Sequence, residues 1–106
     1  MGVRVFLCAA ADVPVNCAKR VACGRRAAIA VFNVDGEFFA LDDLCTHGSA
    51  SLSAGEIDKG QVICPLHFGS FEIRTGKPID PPCDIPAVSR PVVVVDGRIY
   101  MVDTKA

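Results

Sequence analysis

The chain has 106 residues, 51% of them hydrophobic and 22% charged, which is the composition of a folded globular protein and not of a disordered one. That length accommodates a single domain, residues 1–106, and leaves no room for a second module with its own active site. A formal net charge of −1 with acids and bases intermixed excludes a basic stripe for nucleic-acid phosphates and a polybasic patch for anionic lipid.

The first apolar run, from Val5 to Ala11, reads as a strand over Arg4 to Cys8 that ends in at most one helical turn near Ala9 to Asp12. It is stopped by Asp12, far short of the roughly 20 residues that a membrane-spanning helix needs. With only Arg4 before it, it is also a poor secretory signal, so a cytoplasmic protein without a membrane segment is expected. Further short runs rich in Val, Ile and Phe, closed by turn residues, predict strands over Lys19 to Cys23, Ala27 to Val34 and Glu37 to Leu41. Others follow over Glu56 to Asp58, Gln61 to Cys64, Ser70 to Ile73, Pro91 to Val95 and Arg98 to Val102. Asp35-Gly36 and Asp96-Gly97 fall between such runs and favour the positive φ angles of tight hairpins. The polar stretch Gly48 to Gly55 holds a single turn at most, no internal repeat or linker is present, and the fold class is all-β, a small sandwich or partial barrel of antiparallel sheets.

The chemistry lies between these strands. Cys45-Thr46-His47 offers a thiolate and an imidazole two residues apart, and Cys64-Pro65-Leu66-His67 does so again at three, with the sixteen residues 48–63 between. The chain has only two histidines, and both fall inside these half-motifs. Each half follows a predicted strand and ends near a glycine, so the two read as loop tips able to converge on one centre. Taken singly, any of the four is an ordinary loop histidine or a buried cysteine packing as a small hydrophobe; the joint arrangement is what argues for metal. A structural zinc is the rival, but zinc sites usually pair Cys with Cys and His with His, whereas here each loop supplies one of each. A Rieske centre has one iron on two thiolates and the other on two imidazoles, the donor set this order offers. Of the six cysteines, Cys8 and Cys23 fall in apolar strands and read as core, Cys17 as exposed, and Cys83 as part of a loop stiffened by Pro78, Pro81 and Pro82, with no ligand role.

The stretches Cys45-Thr46-His47-Gly48 and Cys64-Pro65-Leu66-His67-Phe68-Gly69-Ser70-Phe71 resemble the CTHG and CPxHxGxF signatures of Rieske-type ferredoxins serving bacterial aromatic-ring-hydroxylating dioxygenases. The resemblance implies the Rieske fold, with a cluster-binding subdomain of roughly residues 42–72 formed by two loops and a third loop after Thr75-Gly76-Lys77 helping to cover the cluster. It implies one 2Fe-2S cluster, with Cys45 and Cys64 on the inner iron and His47 and His67 on the outer one. The implied role is that of a monomeric electron carrier, not itself an enzyme. It would take electrons from an NAD(P)H-dependent flavoprotein ferredoxin reductase and deliver them to a terminal Rieske non-haem iron oxygenase. The alternative is a Rieske-type carrier or small subunit of another reductase or hydroxylase. The chain lacks a glycine-rich dinucleotide fingerprint of its own, and four protein ligands leave iron no open position for substrate.

The chain also departs from respiratory members of the wider family. Ala50 and Leu66 stand where those carry bracing cysteines, and Gly69 stands where they place a serine whose hydroxyl donates to a cluster sulfide. Fewer donors stabilise the reduced cluster less, so a low potential is expected. Partner docking is expected around the two imidazoles with Leu66 and Phe68 beside them, steered by Asp42, Asp43, Glu56 and Asp58.

Overall fold

Residues 3–23, 26–45, 50–65, 69–80 and 85–103 are described by a computed structural model, and among them the expected all-β class holds. The strands are β1 (Val3–Ala9), β2 (Ala18–Cys23), β3 (Arg26–Val34), β4 (Glu37–Asp42), β5 (Glu56–Asp58) and β6 (Gln61–Ile63), followed by β7 (Ser70–Glu72), β8 (Pro78–Asp80), β9 (Ser89–Arg90), β10 (Val92–Val95) and β11 (Arg98–Asp103). Helical structure among the described residues is limited to single 3-10 turns at Ala10–Asp12 and Leu52–Ala54.

Tight turns set the local pairing. Asp35-Gly36 (φ 52° and 93°) joins β3 to β4, and Asp96-Gly97 (φ 52° and 74°) joins β10 to β11, each with positive φ at both central residues as expected from sequence. A third turn of the same kind, Lys59-Gly60 (φ 52° and 78°), joins β5 to β6. Its lysine stands in a left-handed conformation that propensity alone would not assign to it.

The strands form three antiparallel sheets, ordered β1-β11-β10, β2-β3-β4-β9 and β5-β6-β7-β8. The second lies between the other two, which follows from where its side chains go. Ile29 and Val31 of β3 and Ala40 of β4 pack with Leu7, Cys8, Ile99 and Met101 of the first sheet. The alternate residues Ala30, Phe32 and Leu41 pack with Leu52, Val62, Phe71 and Ile73 on the other side. A strand buried on both faces carries an unbroken apolar run, and Ala27 to Phe32 is one. In β1 a bulge between Phe6 and Cys8 breaks the alternation, and the consecutive residues Leu7 and Cys8 are both buried.

Two strands were not expected from the sequence, β8 and β9. Both are short edge strands, and β8 opens with Pro78, a residue tolerated only at such a position. The remaining boundaries agree with the expected ones to within a residue or two.

Candidate metal centre

The cysteines of both half-motifs sit at the ends of β-hairpins. In the first, beyond β4, the Leu52 N–H donates to the Asp43 carbonyl (2.7 Å), Leu44 and Ser51 form an antiparallel bridge, and the Cys45 N–H donates to the Ala50 carbonyl (2.9 Å). In the second, β6 and β7 pair as far as Ile63 with Ser70, and the Cys64 N–H donates to the Gly69 carbonyl (2.7 Å). Each cysteine is thus the last residue of an ascending limb, and its amide closes the hairpin onto a carbonyl five residues later. This repeated construction gives the two sequence stretches equivalent places, one on each hairpin.

Cys45 and Cys64 are 1% and 0% exposed and belong to one core group with Ala50, Leu52, Val62 and Phe71. A thiolate in such apolar surroundings is costly unless a positive partner compensates it. Bound iron supplies that charge, so this donor pair fits an iron–sulfur cluster. His47 and His67, together with Thr46, Gly48, Leu66 and Phe68 of the two signatures, lie outside the described residues.

The hairpins are held to the framework by polar contacts. Asp43 is buried; its Oδ1 accepts from the Ser53 N–H (2.9 Å), its Oδ2 accepts from the Ser51 hydroxyl, and Arg20 Nε lies 3.4 Å from Oδ2. Asp42 takes a two-pronged contact from Arg90, at 2.9 Å from Nε and 3.1 Å from Nη2, which ties β4 to β9. These positions correct the steering role expected of the pair. Asp43 is committed inside the protein and Asp42 is neutralised by a guanidinium, while Glu56 and Asp58 are the exposed carboxylates of the group. Nothing in the sequence marks this difference, since two identical residues stand side by side at the end of β4.

The buried Ser70 hydroxyl donates to Asp80 Oδ2 (2.9 Å), linking β7 to β8. The third loop is anchored at Gly76, whose N–H donates to the Glu72 carbonyl (2.7 Å) and whose carbonyl accepts from the Ala87 N–H (2.8 Å). Around this region Leu44, Ile79, Ile85 and Val88 leave apolar surface exposed. Cys8 is buried and Cys17 exposed, as expected; Cys83 and the Cys23 side chain lie outside the described residues.

Strand-paired hairpins that end in buried thiols, built on an all-β framework, fit a protein of the iron–sulfur class. The chain belongs to the Rieske [2Fe-2S] domain family, whose model matches residues 3–99, and its cofactor is one Rieske-type 2Fe-2S cluster. Among its relatives, the 3-phenylpropionate/cinnamic acid dioxygenase ferredoxin subunit of Photorhabdus laumondii is 46% identical over 99 residues, covering 92% of each chain. The ferredoxin component of the p-cumate 2,3-dioxygenase system of Pseudomonas putida is 47% identical over 98 residues, 92% of this chain and 83% of that one. A solved complex of reduced oxygenase and oxidized ferredoxin in carbazole 1,9a-dioxygenase contains a chain that superposes with a TM-score of 0.91 at 37% identity. The match covers 98% of this chain and 97% of that one. Among the described residues no helix is long and apolar enough to cross a membrane.

Proposed function

We propose that this protein is the ferredoxin of a multicomponent aromatic-ring-hydroxylating dioxygenase, a cytoplasmic, monomeric, single-domain carrier and not a catalytic subunit. It takes single electrons from an NAD(P)H-dependent flavoprotein reductase and passes them to a terminal Rieske non-haem iron oxygenase. Cys45 and Cys64 hold one iron, and His47 and His67 hold the other. The observation that carries this reading is the pair of buried thiols closing two equivalent hairpins, each two or three residues before a histidine. The relatives named as ferredoxin components of dioxygenase systems, and the ferredoxin solved with its oxygenase, support the assignment of partners.

When bound, the cluster accepts and releases one electron at a time without an open coordination position. The chain's own contribution is placement. Cys45 and Cys64 are buried in the core, and the exposed apolar side chains of Leu44, Ile85 and Val88 offer a transient partner a small dehydrated contact.

The test uses purified, iron- and sulfide-reconstituted protein. Wild type should give the visible spectrum and the low average g value of a reduced Rieske centre. Cys45→Ser and Cys64→Ser should abolish both, and His47→Cys or His67→Cys should convert the signal to another type. A colourless wild type, or a histidine variant with an unchanged spectrum, would refute the ligand set. Failure of reduced protein to pass electrons to any Rieske oxygenase of this class would refute the role.

A further inference from the structure

Among the described residues Asp43 is the one carboxylate removed from water, at 4% exposure, and every polar group it owns is engaged. Its N–H donates to the Ala28 carbonyl of β3 (2.9 Å) and its carbonyl accepts from the Leu52 N–H (2.7 Å). Its two carboxylate oxygens take the Ser53 N–H and the Ser51 hydroxyl, with Arg20 of β2 beside Oδ2 at 3.4 Å. One residue therefore ties the ascending limb of the Cys45 hairpin to its descending limb and both limbs to the sheet behind. Two separate donors on the descending limb each take one oxygen of the carboxylate. An asparagine could keep the pattern, its oxygen accepting from the Ser53 N–H and its amide donating to the Ser51 hydroxyl, but without the charge.

That construction leaves a full negative charge in a poorly solvated place, two residues from Cys45. Along an extended backbone this is about 7 Å between Cα atoms, inside the Debye length of about 8 Å at physiological salt. A fixed anion at such range opposes the arrival of an electron. Its counter-charge, Arg20, is 60% exposed and cancels it only partly, because water and salt screen an exposed guanidinium more than a buried carboxylate.

We propose that Asp43 is a positioning residue that pins the Cys45 hairpin and, through its incompletely cancelled charge, holds the cluster's midpoint potential down, with Arg20 acting in the opposite sense. The proposal rests on the ligand assignment made above.

Midpoint potentials of reconstituted wild type, Asp43→Asn and Arg20→Gln, measured at matched low ionic strength with spin-resonance g values as the check on ligation, decide it. Asp43→Asn should move the potential upward and Arg20→Gln downward, both with wild-type g values, and the Arg20→Gln shift should shrink as salt is added. A purely structural brace predicts no such opposition of sign. Shifts in the same direction, or a wild-type potential in Asp43→Asn with its Rieske signal intact, would overturn the proposal. If Asp43→Asn does not retain the cluster, Arg20→Gln decides alone, and a potential unchanged from wild type overturns it. A wild type without a Rieske signal would instead bring down the ligand assignment on which it stands.

Discussion

Four described cysteines show how little the residue type fixes by itself. Cys17 sits in the exposed turn before β2, while Cys45 and Cys64 close hairpins with their sulfurs in the core. Cys8 is buried behind the bulge of β1 and has no place in the cluster site. Burial pushes the Cys8 thiol above its ordinary value of 9.0, Asp12 adds to that rise, and Lys19 opposes it. The neutral thiol is therefore favoured in the folded state, and its contribution to stability is fully present below pH 9.0. Above that the unfolded chain ionises first and the contribution is lost as pH rises through the folded-state value. Thermal melts between pH 8 and 10 should show a steeper alkaline loss in wild type than in Cys8→Ala, and equal slopes would contradict this. At neutral pH an alkylating reagent should modify Cys17 and spare Cys8 in the folded protein, which mass spectrometry of the digested protein reads directly.

At the scale of elements, the site is positioned by hairpins whose ends were visible in sequence and by contacts that were not. Asp-Gly pairs announce their turns because few residue pairs accept positive φ twice in succession. The Lys59-Gly60 turn carries a weaker signal, and β8 and β9 carry none, since they are short edges recruited by neighbours that already exist. Gly76 has a more exacting place. Its φ is +79°, and a Cβ there would meet the Ala87 carbonyl oxygen at 2.2 Å, so the third loop closes on the β7 turn only with glycine at this position. Gly76→Ala should cost about 2 kcal/mol or more, combining backbone strain with the steric clash, and should expose residues 85–88 to hydrogen exchange before the rest of the chain unfolds. Exchange rates there equal to wild type would show the loop held by other means. By contrast, Arg74 reaches Glu37 at 3.3 Å and the Phe39 ring at 4.9 Å across the join between two sheets, but the ion pair is exposed. Glu37→Gln should change stability by about 1 kcal/mol or less in chemical denaturation.

For the whole molecule the two redox-relevant quantities are how rigidly the sulfurs are held and how well the reduced cluster is stabilised. Phe71 is fully buried in the group that also holds Cys45 and Cys64. Phe71→Ala should destabilise by about 3–5 kcal/mol and release the cluster at lower denaturant than wild type, seen as early bleaching of visible absorption. Stabilisation of the reduced state is expected to be weak for want of hydroxyl donors. Gly69 brings no hydroxyl to the second hairpin, Ala50 fills its site in the first with a buried methyl, and the neighbouring Ser70 hydroxyl is spent on Asp80. The midpoint should lie near the bottom of the range of about −150 to +300 mV known for such centres. A titration giving a value above about +100 mV would contradict this.

The all-β class, most strand positions and two of the hairpin turns were determined by sequence alone, and the order of the candidate donors Cys45, His47, Cys64 and His67 is read there too. These depend on residue chemistry and local φ and ψ preferences, which act over a few positions. The tertiary structure decided what depends on residues distant in the chain. It placed the β2-β3-β4-β9 sheet between the other two, buried Cys45 and Cys64 in a common core, and gave two adjacent aspartates opposite fates. Asp42 meets Arg90 across a strand pair, whereas Asp43 turns inward to both limbs of the hairpin. No local preference separates those neighbours; what separates them is the alternation of a chain leaving a strand, which sends successive side chains to opposite faces.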